Sequence, residues 1–295
     1  MVYVYECYKK LRFFHIDPLF FFRFAECKAE EDIVFDAGKV SYSGVEMPYR
    51  VAHVEGEGKP LLAIYLHGGS SKGDDNATQL NEAGIDSIAN YLKSSQTAAV
   101  FLVPQCSADK SWGGPMLGVL KVLIDQYVED GGTDKDRLYI FGGSMGGTGT
   151  WSMLSAYPNF FAAAMPVAGN PSKSIADNVA FTPVFTVMGT ADRIMNVETT
   201  SDFIVALEAR NDIAIMEVEE GWTHEMTCIQ RYTARRLAWV FGHNRDVAAI
   251  ESPKVGGDAS RSVRHYSVDG RLLPESPRKG IFILRGADKG KFIKF

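Results

Sequence analysis

Cysteine is scarce: four residues in 295, Cys7, Cys27, Cys106 and Cys228, with no two at CxxC spacing. That excludes a disulfide-built scaffold and the usual zinc ribbons. No run of eighteen apolar residues exists, so no segment reads as a membrane-spanning helix. Basic charge is lacking from the body, where residues 1–260 carry 22 Lys and Arg against 33 Asp and Glu. Nucleic acid is therefore a poor partner, because neutralising phosphates requires a basic face. Internal repeats and low-complexity tracts are missing too. What remains is 46% hydrophobic and 23% charged, enough apolar mass for one large core with appendages.

Three stretches stand apart from that body. Nine of the first twenty-four residues are Tyr or Phe, yet Arg12, His15, Asp17, Pro18 and Arg23 break every apolar run. Residues 1–29 thus read as a leader or a loosely ordered extension, and poorly as a cleaved signal, which needs an unbroken apolar stretch. Residues 246–260, rich in Pro, Gly, Ser and charge, read as a linker. Residues 261–295 carry 9 Lys and Arg against 3 Asp and Glu. Short strands are expected there at Val263–Val268 and Ile281–Leu284, around a turn at Asp269-Gly270.

From residue 30 to 245 the grammar is regular. Strands are expected at Ile33–Phe35, Val45–Val54, Leu61–Leu66, Ala98–Val103, Leu138–Phe141, Phe161–Val167, Val184–Met188 and Ile213–Val218. Amphipathic helical patterns lie between them, at Asn81–Lys93, Leu117–Glu129, Gly149–Tyr157 and Thr199–Ala209, and Ile229–Phe241 closes the series. Unalternating apolar strands interleaved with helices predict an α/β architecture, a doubly wound and mostly parallel sheet sandwiched by helices.

One motif outweighs the rest. Tyr139-Ile-Phe-Gly142-Gly143-Ser144-Met145-Gly146-Gly147 runs from strand through G-x-S-x-G into helix, the form of a nucleophile elbow. The glycines are needed where strand and helix nearly touch, and the serine is lifted onto a helix N-terminus whose N–H groups favour an oxyanion. A phosphate loop does not fit, since no Lys follows Gly147. Upstream, Leu66-His67-Gly68-Gly69-Ser70 ends an apolar strand; its Gly69 or Ser70 amide is the second oxyanion donor, beside that of Met145. Downstream, Gly189-Thr190-Ala191-Asp192 delivers a carboxylate after a strand, and Trp222-Thr223-His224 an imidazole after the last one. Serine, acid, histidine is the chain order this elbow demands. It makes Ser144 the nucleophile, Asp192 the acid and His224 the base, and leaves His67 structural. Trp112 and Trp222, both on loops near strand ends, are candidates to line a substrate ring. Cys106 and Cys228 lie on similar loops, which leaves a disulfide between them open.

With these residues in place the chain resembles the α/β-hydrolase superfamily. The match runs roughly from Ile33 to His243 and includes Leu66–Ser70, Pro104-Gln105-Cys106, Asp136–Ile140, Gly142–Gly147 and Trp222–His224. The same residues are similar to the small bacterial esterases of the feruloyl esterase, acetyl xylan esterase and polyhydroxybutyrate depolymerase group, and to predicted peptidases of prolyl-oligopeptidase type. The resemblance implies hydrolysis of carboxylic esters, with no metal and no organic cofactor, on a small molecule or a polysaccharide. A peptidase and a catalytically inactive binding module are the alternatives. Only Asn170–Thr182 separates two strands where a large cap is often inserted, so an open mouth is expected. The final segment, Tyr266 to Lys294, resembles the C-terminal tails of Bacteroidetes secreted proteins, which implies contact with secretion machinery and a secreted or envelope location.

Overall fold

The computed structural model describes residues 33–130, 132–210 and 213–245, together with tail strands at 264–267, 272–273, 281–286 and 289–294. The body is one eight-stranded sheet. Its strands are β1 (Asp36–Tyr42), β2 (Val45–Val54), β3 (Glu57–Leu66), β4 (Thr97–Pro104), β5 (Leu138–Gly143), β6 (Ala163–Val167), β7 (Val184–Gly189) and β8 (Ala214–Glu219), in the order β1-β2-β4-β3-β5-β6-β7-β8. From β4 to β8 neighbours are parallel, while β1 and β2 add an antiparallel edge.

Successive residues of β3 show why the central strands lack alternation. Leu62, Ile64 and Leu66 face one core with Val119, Leu120 and Leu123 of α2 (Pro115–Glu129), Trp151 and Leu154 of α3 (Met145–Ala156), and Ile204 and Leu207 of α5 (Val197–Glu208). Leu61, Ala63 and Tyr65 face the other, with Ile85, Ile88 and Leu92 of α1 (Ala83–Ser94) and Leu237 and Val240 of α7 (Ala234–Phe241). Both faces of the sheet are covered, so every position is apolar. Strand order reverses beside β3, with β4 on one side and β5 on the other, and such a switch point opens a crevice at the carboxyl ends of the strands. Leu66 pairs with Gly142 there, which sets the ends of β3 and β5 side by side.

Three expectations are corrected. The first strand is Asp36–Tyr42, not Ile33–Phe35; as a sheet edge it buries only Val40, so it carries no apolar signature, while Phe35 packs edge-on against Phe101 at 5.8 Å. The helix expected at Ile229–Phe241 is two, α6 (His224–Gln230) and α7, divided at Arg231–Thr233 because the Thr233 side chain caps α7 by accepting from the Arg236 N–H. The elbow helix begins at Met145, four residues before the pattern shows. In the tail, β9 (Arg264–Ser267), β10 (Leu272–Leu273), β11 (Ile281–Gly286) and β12 (Lys289–Lys294) form a four-stranded antiparallel sheet, two strands more than expected. The leader at 1–29, the linker at 246–260 and the Asp269-Gly270 turn lie outside the described residues. Among the described residues no helix is long and apolar enough to cross a membrane.

Candidate active site

The elbow follows from close packing. A Cβ on Gly142 would overlap the Gly146 carbonyl, and one on Gly146 would overlap that of Leu66, so only bare backbone fits where β3, β5 and α3 converge. Ser144 sits between them at φ 58°, ψ −118°, the first central conformation of a type II′ turn, which glycine favours. Its N–H donates to the Val167 carbonyl at 3.0 Å. The strain is held by the neighbouring strands.

The acid and base arrive on two loops joined to each other. Gly189 and Glu219 are paired at the ends of β7 and β8. Beyond them the Thr190 N–H donates to the Glu219 carbonyl, the Ala191 N–H to that of Trp222, both at 3.0 Å, and the Gly221 N–H to Thr190 Oγ1 at 2.8 Å. Asp192 and His224 therefore meet: Oδ2 lies 2.8 Å from Nδ1, and Nε2 lies 2.8 Å from Ser144 Oγ. The Asp192 side chain is fully buried, and its Oδ1 accepts from the N–H groups of Ile194 and Met195, each at 2.8 Å. His224 opens α6, where the Thr223 side chain accepts from the Met226 N–H. The serine, imidazole and carboxylate singled out in the sequence thus form one continuous hydrogen-bonded row.

Met145 is the first residue of α3, so its N–H is among the four that no intrahelical carbonyl can accept. Gly69 and Ser70 lie in a short 3-10 turn, exposed, one residue past Gly68. Gly68 itself is close to the nucleophile: a Cβ there would stand 3.7 Å from Ser144 Cβ. His67 is fully buried. The Cys106 N–H donates to its Nε2 at 2.9 Å, so the ring proton sits on Nδ1 and is donated to the Gly68 carbonyl at 2.6 Å. Burial lowers its pKa, and the neutral ring acts as a strut for the turn. His243, whose Nδ1 lies 2.8 Å from the Trp239 carbonyl, is lowered for the same reason.

The sign of the resulting pH dependence follows directly. Both histidines bind protons less readily folded than unfolded, so stability is full above about pH 6.5, the ordinary imidazole value, and falls as pH drops below it. Urea unfolding midpoints should be level from pH 8 to 7 and decline from 6.5 to 5. A midpoint unchanged over that lower interval would contradict a neutral His67.

One expectation fails here, and one open question is settled. Trp112 does not line the site: only 2% exposed, it packs edge-on against His67 at 5.1 Å and donates its indole N–H to the His67 carbonyl at 3.0 Å. A small residue beneath it explains this, since a Cβ on Gly149 would strike the Trp112 side chain. Cys106 and Cys228 are both free, packed in the cores on opposite faces of the sheet. Trp222 is half-buried next to His224 and contributes its carbonyl to the loop junction. Cys228 lies one helical turn beyond His224, with Sγ 3.9 Å from Nε2. Burial pushes its thiol up to about 11, so it is no rival nucleophile at neutral pH.

Sequence reasoning missed Glu82, the residue preceding α1, whose carboxylate reaches across to the Gly68 turn. Glu82 had no local pattern to reveal it. Gln105, quoted in the Pro104-Gln105-Cys106 match without a role, donates to Asp75 Oδ1 at 2.7 Å, accepts from the Asn76 N–H at 2.7 Å and ties the following loop. Among the described residues no group of three or more His, Cys, Asp or Glu could hold a metal ion.

Comparison with known proteins bears on the fold. The prolyl oligopeptidase family matches residues 116–172, from α2 through the elbow to the loop after β6. A thermostable esterase shares 26% identity over 71% of this chain, with a TM-score of 0.65; the chain spans 63% of that protein. The feruloyl esterase module of Clostridium thermocellum, solved with sinapinate, shares 15% identity over 72% of this chain and 88% of its own, with a TM-score of 0.57. The Pyrococcus furiosus esterase Pf2001 shares 13% over 72% and 93%, with a TM-score of 0.57. No curated protein matches the sequence significantly. The fold is that of the α/β hydrolases, and at its switch point Ser144, His224 and Asp192 stand within hydrogen-bonding distance of one another.

Proposed function

We propose that the protein hydrolyses carboxylic esters through an acyl-enzyme formed on Ser144, with acyl groups on plant cell-wall polysaccharide, feruloyl or acetyl, as the substrate class. The observation that carries the reading is the unbroken row Asp192–His224–Ser144 at the N-terminus of α3. A serine hydroxyl is a poor nucleophile at neutral pH, so His224 Nε2 takes its proton as Oγ attacks the ester carbonyl. Asp192 holds the imidazole with its other proton on Nδ1 and stabilises the imidazolium. The carbonyl oxygen, now an oxyanion, is received by the N–H of Met145 and that of Gly69 or Ser70. His224 then returns the proton to the leaving alcohol, and a water activated in the same way releases the acid.

The substrate class is favoured by the short connection between β6 and β7, where no large cap is inserted. Between β6 and β7 stands only the single turn α4 (Ala176–Val179), leaving room for an acyl group still attached to a polymer. Trp222, two residues before the base in the chain, is the side chain we assign to receive a phenolic ring. The second reading is a serine peptidase, favoured by the family match across the elbow. An ester panel of acetyl, feruloyl and longer acyl groups, run beside peptide p-nitroanilides, separates the two. Turnover of feruloyl or acetyl esters at least about tenfold above the best anilide is expected; a preference for amides would overturn the ester reading. A folded protein left unlabelled at Ser144 by an organophosphate would instead mark an inactive binding module.

A further inference from the structure

Behind the Gly68 turn lies a partly buried polar cluster that the proposed reaction does not use. Glu82 Oε1 accepts two hydrogen bonds, from the Gly68 N–H at 2.9 Å and from Ser71 Oγ at 2.8 Å, while Oε2 lies 3.4 Å from Tyr65 Oη. The carboxylate is set there by close packing: Gly84, two residues along, leaves no space for a Cβ against the rings of Tyr65 and Tyr232. Gly68 is consequently gripped on both sides. Its N–H is held by Glu82 and its carbonyl by His67 Nδ1, and a Cβ would stand 3.3 Å from Glu82 Oε1 and 3.7 Å from Ser144 Cβ. Arg231 lies near the same cluster, fully buried over the Tyr232 ring at 4.0 Å, its Nη1 donating to the Thr227 carbonyl at 2.7 Å. Its Nε and Nη2 find no acceptor in the described structure.

We propose that Glu82 is a positioning residue for the oxyanion hole: its carboxylate fixes the Gly68–Ser71 turn so that the amide of Gly69 or Ser70 points at the developing oxyanion beside Ser144. The inference rests on Ser144 being the nucleophile. An oxyanion donor works only when held to within a fraction of an ångström, and a displacement of about 1 Å costs on the order of a hundredfold in rate. The carboxylate touches no substrate; it acts through the backbone it holds.

The test compares Glu82→Ala, Glu82→Gln and Ser71→Ala with the native chain. Turnover of p-nitrophenyl acetate is measured alongside the affinity of a trifluoromethyl ketone, which adds Ser144 Oγ and leaves an oxyanion. Glu82→Ala should lower kcat by about 10- to 100-fold with KM within about twofold, and weaken the ketone by the same factor. Glutamine keeps an oxygen to accept both bonds and an amide to donate to the Tyr65 hydroxyl, so Glu82→Gln should recover kcat to within about fivefold of native. If the alanine variant fails to fold, Ser71→Ala, which removes one of the two bonds to Oε1, should still cost about three- to tenfold in kcat. Native-like kcat in the folded alanine variant, or a loss of kcat with ketone affinity unchanged, would overturn the proposal. In the same assay, Ser144→Ala turning over as fast as native would overturn the nucleophile assignment itself, and the brace with it.

Discussion

Replacing Ser144 with glycine should abolish ester turnover and leave the protein at least as stable as before. Loss of the nucleophile removes on the order of 10⁴- to 10⁶-fold in kcat, with the residue due to the oxyanion donors and binding alone. The stability half of the result comes from the backbone. At φ 58°, ψ −118° a non-glycine residue is strained by about 1–3 kcal/mol, and glycine relieves most of that at an entropic cost of about 0.5–1 kcal/mol. Ser144→Ala separates the two effects, since it removes the hydroxyl yet keeps the Cβ and the strain. Both variants should be inactive, and only the glycine variant should melt above the native protein. Residual turnover above about 1% of native in the alanine variant, measured on p-nitrophenyl acetate, would exclude Ser144 as the nucleophile.

Asp192→Asn should cost about 10⁴-fold in kcat with little change in the melting temperature. One carboxylate oxygen is committed to the N–H groups of Ile194 and Met195, the other to His224 Nδ1. Asparagine has a single acceptor oxygen, and the two backbone donors claim it. The amide NH₂ is then turned toward Nδ1, which must accept rather than donate. That moves the ring proton to Nε2, where it faces Ser144 Oγ and blocks proton abstraction. Asp192→Ala, which leaves His224 free to choose its tautomer, should be less damaging than the isosteric change. Should Asp192→Asn retain more than a tenth of native kcat, Asp192 is not the residue that orients the base.

The order of severity among these variants is visible because so much of the site could be read from the chain. Ser144, Asp192 and His224 each follow a strand in a parallel sheet, and parallel neighbours deliver their following loops to one edge, so chain order alone brings the three together. The strand Val45–Val54 is legible to the residue, because apolar and polar side chains largely alternate along it. What escaped had a common physical reason. Edge strand β1 pairs with one strand only and buries a single residue, Val40, so it shows no apolar pattern. Trp112 reads as a loop aromatic, and only the close approach allowed by Gly149 draws it under His67. Glu82 lies far along the chain from the elbow, and its contacts to Gly68 and Ser71 depend on tertiary packing at Gly84. Periodicity reports which face of an element is wet; it says nothing of a lone polar group meeting a distant backbone amide.

The junction between the β7 and β8 loops divides the molecule's labour. Because the segments bearing the carboxylate and the imidazole are laced to each other by main-chain hydrogen bonds, they form one rigid bracket, whereas the stretch from Asn170 to Thr182 contributes nothing to it. New segments could be grafted into that stretch to recognise other acids or alcohols without retuning the chemistry underneath, which makes the scaffold a ready starting point for redirected specificity.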